Sequence, residues 1–262
     1  MNRWRSFSFC LLFFLITTVV EFADASVNLS GVITSNTTLG LTSPASDGIY
    51  IVTGDLTVST GATLTVEAGV EIRVDGGVSI YIGSAISPGT LLCEGTAGNP
   101  VTITANTGFP SPGDWDDLFF RNGSDASILE YTNIAFGGGG GSSTAVYLDN
   151  SDAQFLNCQI RRSQDYGVRI TGSSAPDFTD SSIQDNGSYG IRVQDTSTPQ
   201  LSGCTVEDNG STGIYLDTTG APVISSTDIL GNTGYGVYCA STSCQISITG
   251  CHFEGNTTTP LR

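Results

Sequence analysis

Tyr147, Arg169, Arg192, Tyr215 and Tyr238 recur at a nearly constant interval and offer the clearest chemistry in the chain. A tyrosine presents an apolar ring with a hydroxyl tip. A guanidinium presents five donors in a planar fork that matches a carboxylate or a pair of hydroxyls. Exposed together on one surface, these groups suit stacking on sugar rings and holding the acid or hydroxyl groups of a carbohydrate. The competing reading is a soluble surface in which Arg stacks on Tyr and binds nothing. Tyr166, Tyr189 and Tyr235 each stand three residues before a member of the set. They either widen the platform or fold over a neighbouring turn.

Acids are numerous and scattered. Asp149 and Asp217 fall in one column beside the Tyr/Arg set, Asp195 lies next to it, Asp185 and Asp208 share another, and Asp114, Asp116 and Asp117 surround Trp115. A carboxylate pair at the right separation acts as acid and base in glycoside hydrolysis. In an acidic chain the same residues serve as solvating charge or as weak Ca²⁺ ligands. Beyond such weak Ca²⁺ binding no cofactor or metal site is expected, because His252 is the single His and no Cys-x-x-Cys occurs. Trp115 reads as core beside a turn.

The elements that position these residues follow from internal repetition. Tyr166-Gly167-Val168-Arg169-Ile170, Tyr189-Gly190-Ile191-Arg192-Val193, Thr212-Gly213-Ile214-Tyr215-Leu216 and Tyr235-Gly236-Val237-Tyr238-Cys239 align with their glycines 23 residues apart, and Thr144-Ala145-Val146-Tyr147-Leu148 is an earlier copy. Between copies, Pro176, Pro199 and Pro222 keep a second register that ends in Asn186, Asn209 and Asn232, continuing to Asn256. Alternation has period two, and the segments are short and rich in Gly and β-branched residues, so each unit reads as two or three strands joined by tight turns. No unit buries its own apolar face; stacked units do. The fold class is therefore all-β, a parallel β-helix with coils of about 23 residues.

Stacking turns each repeat position into a column of like residues. The inward columns are Val146, Val168, Ile191, Ile214 and Val237, with Leu148, Ile170, Val193, Leu216 and Cys239 beside them. A third, of small residues, holds Thr132, Cys158, Ser181, Cys204, Thr227 and Cys251. Its cysteines lie two coils apart, roughly 9–10 Å, beyond the reach of a disulfide, so they are expected to be free buried thiols. Cys239 and Cys244 flank a one-residue insertion and are the one pair considered for a bridge. The Asn column reads as a ladder of turn amides, each bonding the next coil and tolerating left-handed geometry.

These repeats, with Ala62-Thr63-Leu64-Thr65-Val66, Gly89-Thr90-Leu91-Leu92-Cys93 and Gly113-Asp114-Trp115 in the looser stretch 50–136, resemble the right-handed parallel β-helix proteins of the pectate-lyase-like superfamily, secreted bacterial type. The resemblance covers most of the chain and implies the scaffold more than the chemistry, which differs among proteins of one fold. It implies lyases with Ca²⁺-binding carboxylates and an Arg or Lys base, or hydrolases with Asn-Thr-Asp, paired Asp and Gly-His-Gly. None of these motifs is present, nor is Asp-Pro-His.

Composition narrows the partners. Of 262 residues only 13% are charged, all nine basic residues are Arg, and the net charge is −16. Lysine chemistry is excluded, and so few basic groups among so many acids argue against a nucleic-acid partner. Arg161, Arg162, Arg169 and Arg192 fall within 32 residues and mark where an anionic or sugar ligand would sit. Arg3 and Arg5, an apolar run from Phe7 to Val20 and Ala23-Asp24-Ala25 read as an export signal over 1–25, implying a secreted or cell-surface protein with no membrane span in the mature chain.

Residues 26–50 hold too few alternating apolar positions for a full coil and read as an N-terminal cap, followed by the β-helix over 51–262. Continuing the register beyond Asn256 puts Pro260 at the repeat Gly, Leu261 inward and Arg262 in the Tyr/Arg column. The β-helix is thus expected to continue beyond residue 262. The expected function is non-enzymatic binding of a polysaccharide or cell-surface glycan through a flat sheet face. A polysaccharide lyase or hydrolase and a structural or adhesin spacer are the alternatives.

Overall fold

The computed structural model describes residues 26–42, 47–240, 244–258 and 262; the export signal proposed for 1–25 lies outside them, as do Pro260 and Leu261. Among the described residues the chain is a parallel β-solenoid without helix, each coil laying one short strand on each of three sheets. Sheet 1 runs from Thr37–Leu39 to Ser247–Thr249. Sheet 2 runs from the first half of Ile49–Val58 through Glu71–Val74 to His252–Glu254, and sheet 3 from the second half of Ile49–Val58 through Ile80–Ile82 to Val237–Cys239. No described helix is long and apolar enough to cross a membrane.

Val27–Ile33 and Thr37–Leu39 between them reach all three sheets. Val27–Ile33 pairs with Ile49–Val58 along both halves and Thr37–Leu39 pairs with Thr63–Glu67, so the leader follows the coil path even though Val27, Leu29 and Ile33 are only partly covered. It is the first described layer and a coil at once, because backbone pairing does not need the buried side chains that a middle coil needs.

The inward columns pack as the repeat implies. Val168, Ile170, Ile191, Val193, Ile214 and Leu216 are essentially unexposed, and each such side chain contributes about 1.5–3 kcal/mol on burial. Phe155 and Phe178 stack at 4.7 Å inside the solenoid, and Trp115 is fully buried with its Nε1–H donating to the Ala135 carbonyl at 2.8 Å. In the small column Cys158, Ser181 and Cys204 each donate to a sheet 1 carbonyl, those of Leu129, Phe155 and Phe178. Cys158 and Cys204 are buried free thiols. Cys251, also free, is only half-buried, because it lies in the last described coil with less packed over it. Cys239 and Cys244 are bonded, with Cα atoms 6.1 Å apart.

The Asn ladder is continuous. Nδ2 of Asn186, Asn209 and Asn232 donates to Oδ1 of the next Asn at 2.9 Å each time, and the same oxygens accept the backbone N–H one coil back. The left-handed conformation belongs to the residue before each Asn, Asp185, Asp208, Gly231 and Gly255, and to Arg162 before Ser163, with φ of 50–68°. That placement leaves the Asn side chain pointing inward, where a left-handed Asn would swing it out. The repeat glycines answer to the same ladder. A Cβ on Gly190 would lie 2.7 Å from the Gly213 carbonyl oxygen and 2.8 Å from Asn209 Nδ2, so no larger residue fits beside the amide. Ala145 occupies the equivalent position where the Asn column begins with Ser163.

Candidate functional site

Sheet 3 carries the Tyr/Arg column in the expected register. Tyr147, Arg169, Arg192, Tyr215 and Tyr238 pair Cα to Cα on successive strands, and Arg262 joins them, its N–H donating to the Val237 carbonyl at 3.1 Å. Tyr81 and Phe119 extend the column at its other end. The repeat concealed them because those coils carry insertions: 38 residues separate Tyr81 from Phe119 and 28 separate Phe119 from Tyr147. At about 4.8 Å per rung, the seven steps from Tyr81 to Arg262 make a row roughly 34 Å long.

The rings face one another instead of the solvent. Phe119 stacks on Tyr147 at 4.3 Å, and Tyr166, Tyr189, Tyr215 and Tyr238 form a run with centroids 4.6–5.4 Å apart. Tyr166 and Tyr189 therefore fold into the row instead of widening it, and Tyr235 closes on Tyr238 at 4.9 Å. Burial raises the Tyr189 hydroxyl above its ordinary pKa, with Tyr215 and Tyr166 adding to the effect. Since stacked rings spend their faces on each other, the surface offers ring edges, hydroxyl tips and guanidiniums. A ligand is then gripped by hydrogen bonds and charge rather than by stacking.

The guanidiniums rest on these rings. Arg169 lies 5.0 Å from the Tyr147 centroid and donates from Nε to Gln194 Oε1 at 3.1 Å; Arg192 lies over Tyr166 and Tyr215 and donates to the Tyr166 hydroxyl at 3.0 Å. Arg121 covers Tyr81 and Phe119, and Arg262 covers Tyr235 and Tyr238. None of these four touches a carboxylate: among the described residues the one Arg–carboxylate ion pair is Arg73 with Glu71, at 2.7 Å. Arg161 and Arg162 do not join them, since Arg161 ends a sheet 2 strand and Arg162 occupies the following turn.

The scattered acids divide by role. Asp185 and Asp208 are left-handed residues between strands, and Asp195, left-handed at the end of the strand Ile191–Asp195, accepts the Gly172 N–H at 2.9 Å through Oδ2. Asp149 shares a sheet 3 column with Asp217 and accepts from Thr171. His252 stands exposed near Asp228 and Glu254. No group of three His, Cys, Asp or Glu able to hold a metal occurs among the described residues. Two shallow depressions lie along sheet 3. One, of about 330 Å³, is lined by Tyr189, Tyr215, Tyr235, Tyr238 and Arg262; the other, of about 320 Å³, by Tyr81, Asp116, Asp117, Phe119, Arg121, Tyr147 and Arg169.

Known proteins place the scaffold. No curated protein matches the chain. Among solved structures it is similar to the Dettilon tailspike protein, with 13% identity and a TM-score of 0.49 over 72% of this chain and 38% of the tailspike, so it spans well under half of that protein's length. It is also similar to a periplasmic alginate epimerase (9% identity, TM-score 0.46, 82% of this chain and 77% of that one). A third is the alginate lyase from Paenibacillus sp. str. FPU-7 (14%, 0.42, 76% and 91%). Residues 31–149 match the pectate-lyase like beta helix domain, and residues 117–260, more than half of the chain, match the right handed beta helix region. With that match spanning the coils from Phe119 to Tyr238 of the Tyr/Arg row, the chain belongs to the right-handed β-helix family.

Proposed function

We propose that this is an exported, non-enzymatic protein that binds an acidic polysaccharide lengthwise along sheet 3. The observation that carries the reading is the row of arginines without acid partners. On a chain of net charge −16, Arg121, Arg169, Arg192 and Arg262 rest on aromatic rings of one face and meet no carboxylate. Two arginines in register, Arg169 and Arg192, repel each other. A ligand carboxylate relieves that repulsion and gains charge-assisted hydrogen bonds from groups already held in place by the rings. Tyrosine hydroxyls on neighbouring rungs supply further polar contacts for sugar hydroxyls.

A glycan array comparing the wild type with Arg192→Ala and Tyr215→Ala tests this. Acidic polysaccharides should be retained by the wild type, more weakly by Arg192→Ala, and neutral ones should not be retained by either protein. An array with no retained glycan removes the reading in favour of a structural spacer. New reducing ends or unsaturated products from bound polysaccharide would replace the binder with an enzyme.

A further inference from the structure

The charges along sheet 3 have a period as well as a sign. The rungs of the row are, in order, Tyr81, Phe119, Tyr147, Arg169, Arg192, Tyr215, Tyr238 and Arg262. Its cations fall at three stations. Arg121 lies over the first two rungs, 4.1 Å from the Tyr81 centroid and 4.8 Å from that of Phe119. Arg169 and Arg192 are the fourth and fifth rungs, and Arg262 leans back from the eighth onto Tyr238 of the seventh, 5.6 Å from its centroid. The stations are thus centred three rungs apart, roughly 14 Å.

The acids of the same face fall between the stations. Asp149 stands two residues after Tyr147 on the third rung and Asp217 two residues after Tyr215 on the sixth, so both project from sheet 3 in one column beside the row. Asp149 is half-buried and accepts from Thr171 Oγ1 at 3.2 Å and from Asn150 Nδ2 at 2.9 Å, while Asp217 is exposed. Neither is within ion-pair distance of an arginine. Arg121, Asp149, the Arg169/Arg192 pair, Asp217 and Arg262 therefore alternate in sign along the face, and both signs repeat every three rungs. Asp165 stands on the opposite flank, one residue before the strand that begins at Tyr166. Two insertions meet beside Arg121, with Gly138 N–H donating to the Asp116 carbonyl at 2.6 Å, and Asp116 and Asp117 line its depression. That makes the Arg121 station the weakest of the three for an anion.

We propose that sheet 3 selects an acidic polysaccharide by the spacing of its charges: one acidic sugar in every three along the backbone, with neutral sugars between. The inference rests on the polysaccharide reading for the class of ligand and for its lengthwise placement. Successive sugars of an extended glycan advance by about one rung, so a repeat of three returns an acid to each cation station and sets a neutral ring beside each aspartate. There Asp149 and Asp217 accept sugar hydroxyls in charge-assisted bonds. Other spacings fit worse. An acid on every sugar faces both aspartates, and such like-charge contacts are what reject a wrong partner. With an acid on every second sugar and one seated on the Arg169/Arg192 pair, its neighbours fall within half a rung of Asp149 and Asp217. An acid on every fourth sugar overshoots both outer stations by a full rung.

The test is calorimetry with polysaccharides of known repeating unit that carry a uronic acid on every sugar or on every second, third or fourth sugar, each spacing on at least two different backbones. The proteins are the wild type, Asp149→Asn/Asp217→Asn and, as a control for net charge, Asp177→Asn/Asp228→Asn, whose aspartates lie on sheets 1 and 2. The wild type should bind the one-in-three glycan about 10-fold or more tightly than the polyuronate with an acid on every sugar. Asp149→Asn/Asp217→Asn should narrow that preference to under about 3-fold by raising the affinity for the polyuronate, and the control should keep it. Asp217 is exposed, so Asp217→Asn alone, with a partial narrowing, keeps the test alive if the double variant fails to fold. Equal affinity of the wild type for all spacings, or an equal narrowing in the control, overturns the spacing inference and leaves the polysaccharide reading standing. If no acidic polysaccharide binds at any spacing, that reading falls and the inference with it.

Discussion

Arg169 and Arg192 stand on adjacent strands of sheet 3, paired Cα to Cα, and their guanidiniums lean onto different rings, Arg169 onto Tyr147 and Arg192 onto Tyr166. Two like charges side by side are destabilising by themselves. In a chain with 25 acidic residues, an acid at either flank would have cancelled the repulsion, and neither arginine is within ion-pair distance of one. The rings hold both cations in place and keep their donors available.

The Asn ladder should carry much of the stability of the regular coils. Asn209 is fully buried, donates to Asn232 Oδ1 and the Ile183 carbonyl, and accepts from Asn186. Asn209→Ala removes these bonds and strands buried donors on Asn186, so a loss of about 3 kcal/mol or more is expected in urea unfolding. Gly190→Ala should cost about 1–3 kcal/mol by overpacking the same amide. Ala145→Gly, at the equivalent position without an Asn, should cost no more than about 1 kcal/mol.

The buried thiols make stability depend on alkaline pH. Burial pushes Cys158 up to about 12 and raises Cys204 in the same direction, well above the unfolded thiol's ordinary value near 8.5. The folded state keeps these protons while the unfolded state releases them. Stability is therefore full below about pH 8.5 and falls as pH rises toward 12. Cys158→Ser with Cys204→Ser should flatten part of that decline, the rest coming from Cys93, a buried free thiol raised in the same direction by burial. The double variant should lose little at pH 7, because Ser181 already makes the same bond to a sheet 1 carbonyl in the same column. Unfolding midpoints across pH 7–11 check both statements.

Reduction of the Cys239–Cys244 bond should have a small effect. The two cysteines are five residues apart, and closing so short a loop stabilises by about 2 kcal/mol on the chain-entropy account. A dithiothreitol-treated sample should melt a few degrees lower, and a drop larger than about 10 °C would show that the bridge holds more than its own loop.

The legible parts of the fold are those where the repeat is strict. From Tyr166 to Tyr238 an interval of 23 residues puts each inward Val or Ile, each repeat Gly and each Asn on one column, and all of them pair as their spacing implies. Tyr81 and Phe119 escaped because insertions break the interval, although they belong to the same row. Which turn residue is left-handed was not legible, since Asn, Asp and Gly all tolerate that conformation and composition alone does not rank neighbours. Ring orientation was not legible either. Alternation says which residues point out, while stacking on the next coil decides whether a ring presents its face or its edge. The pocket at Asp116 and Asp117 depends on two insertions meeting, and no periodic signal carries that.

Calorimetry of an acidic polysaccharide against the wild type and the Arg169→Gln/Arg192→Gln double variant, at 50 and 300 mM salt, tests the central claim most directly. Each lost charge-assisted contact is worth about 1.5–3 kcal/mol. The account therefore predicts binding weakened about 100-fold or more in the variant, and a salt dependence that is strong in the wild type and reduced in the variant. Equal affinity and equal salt dependence in the two proteins would contradict it.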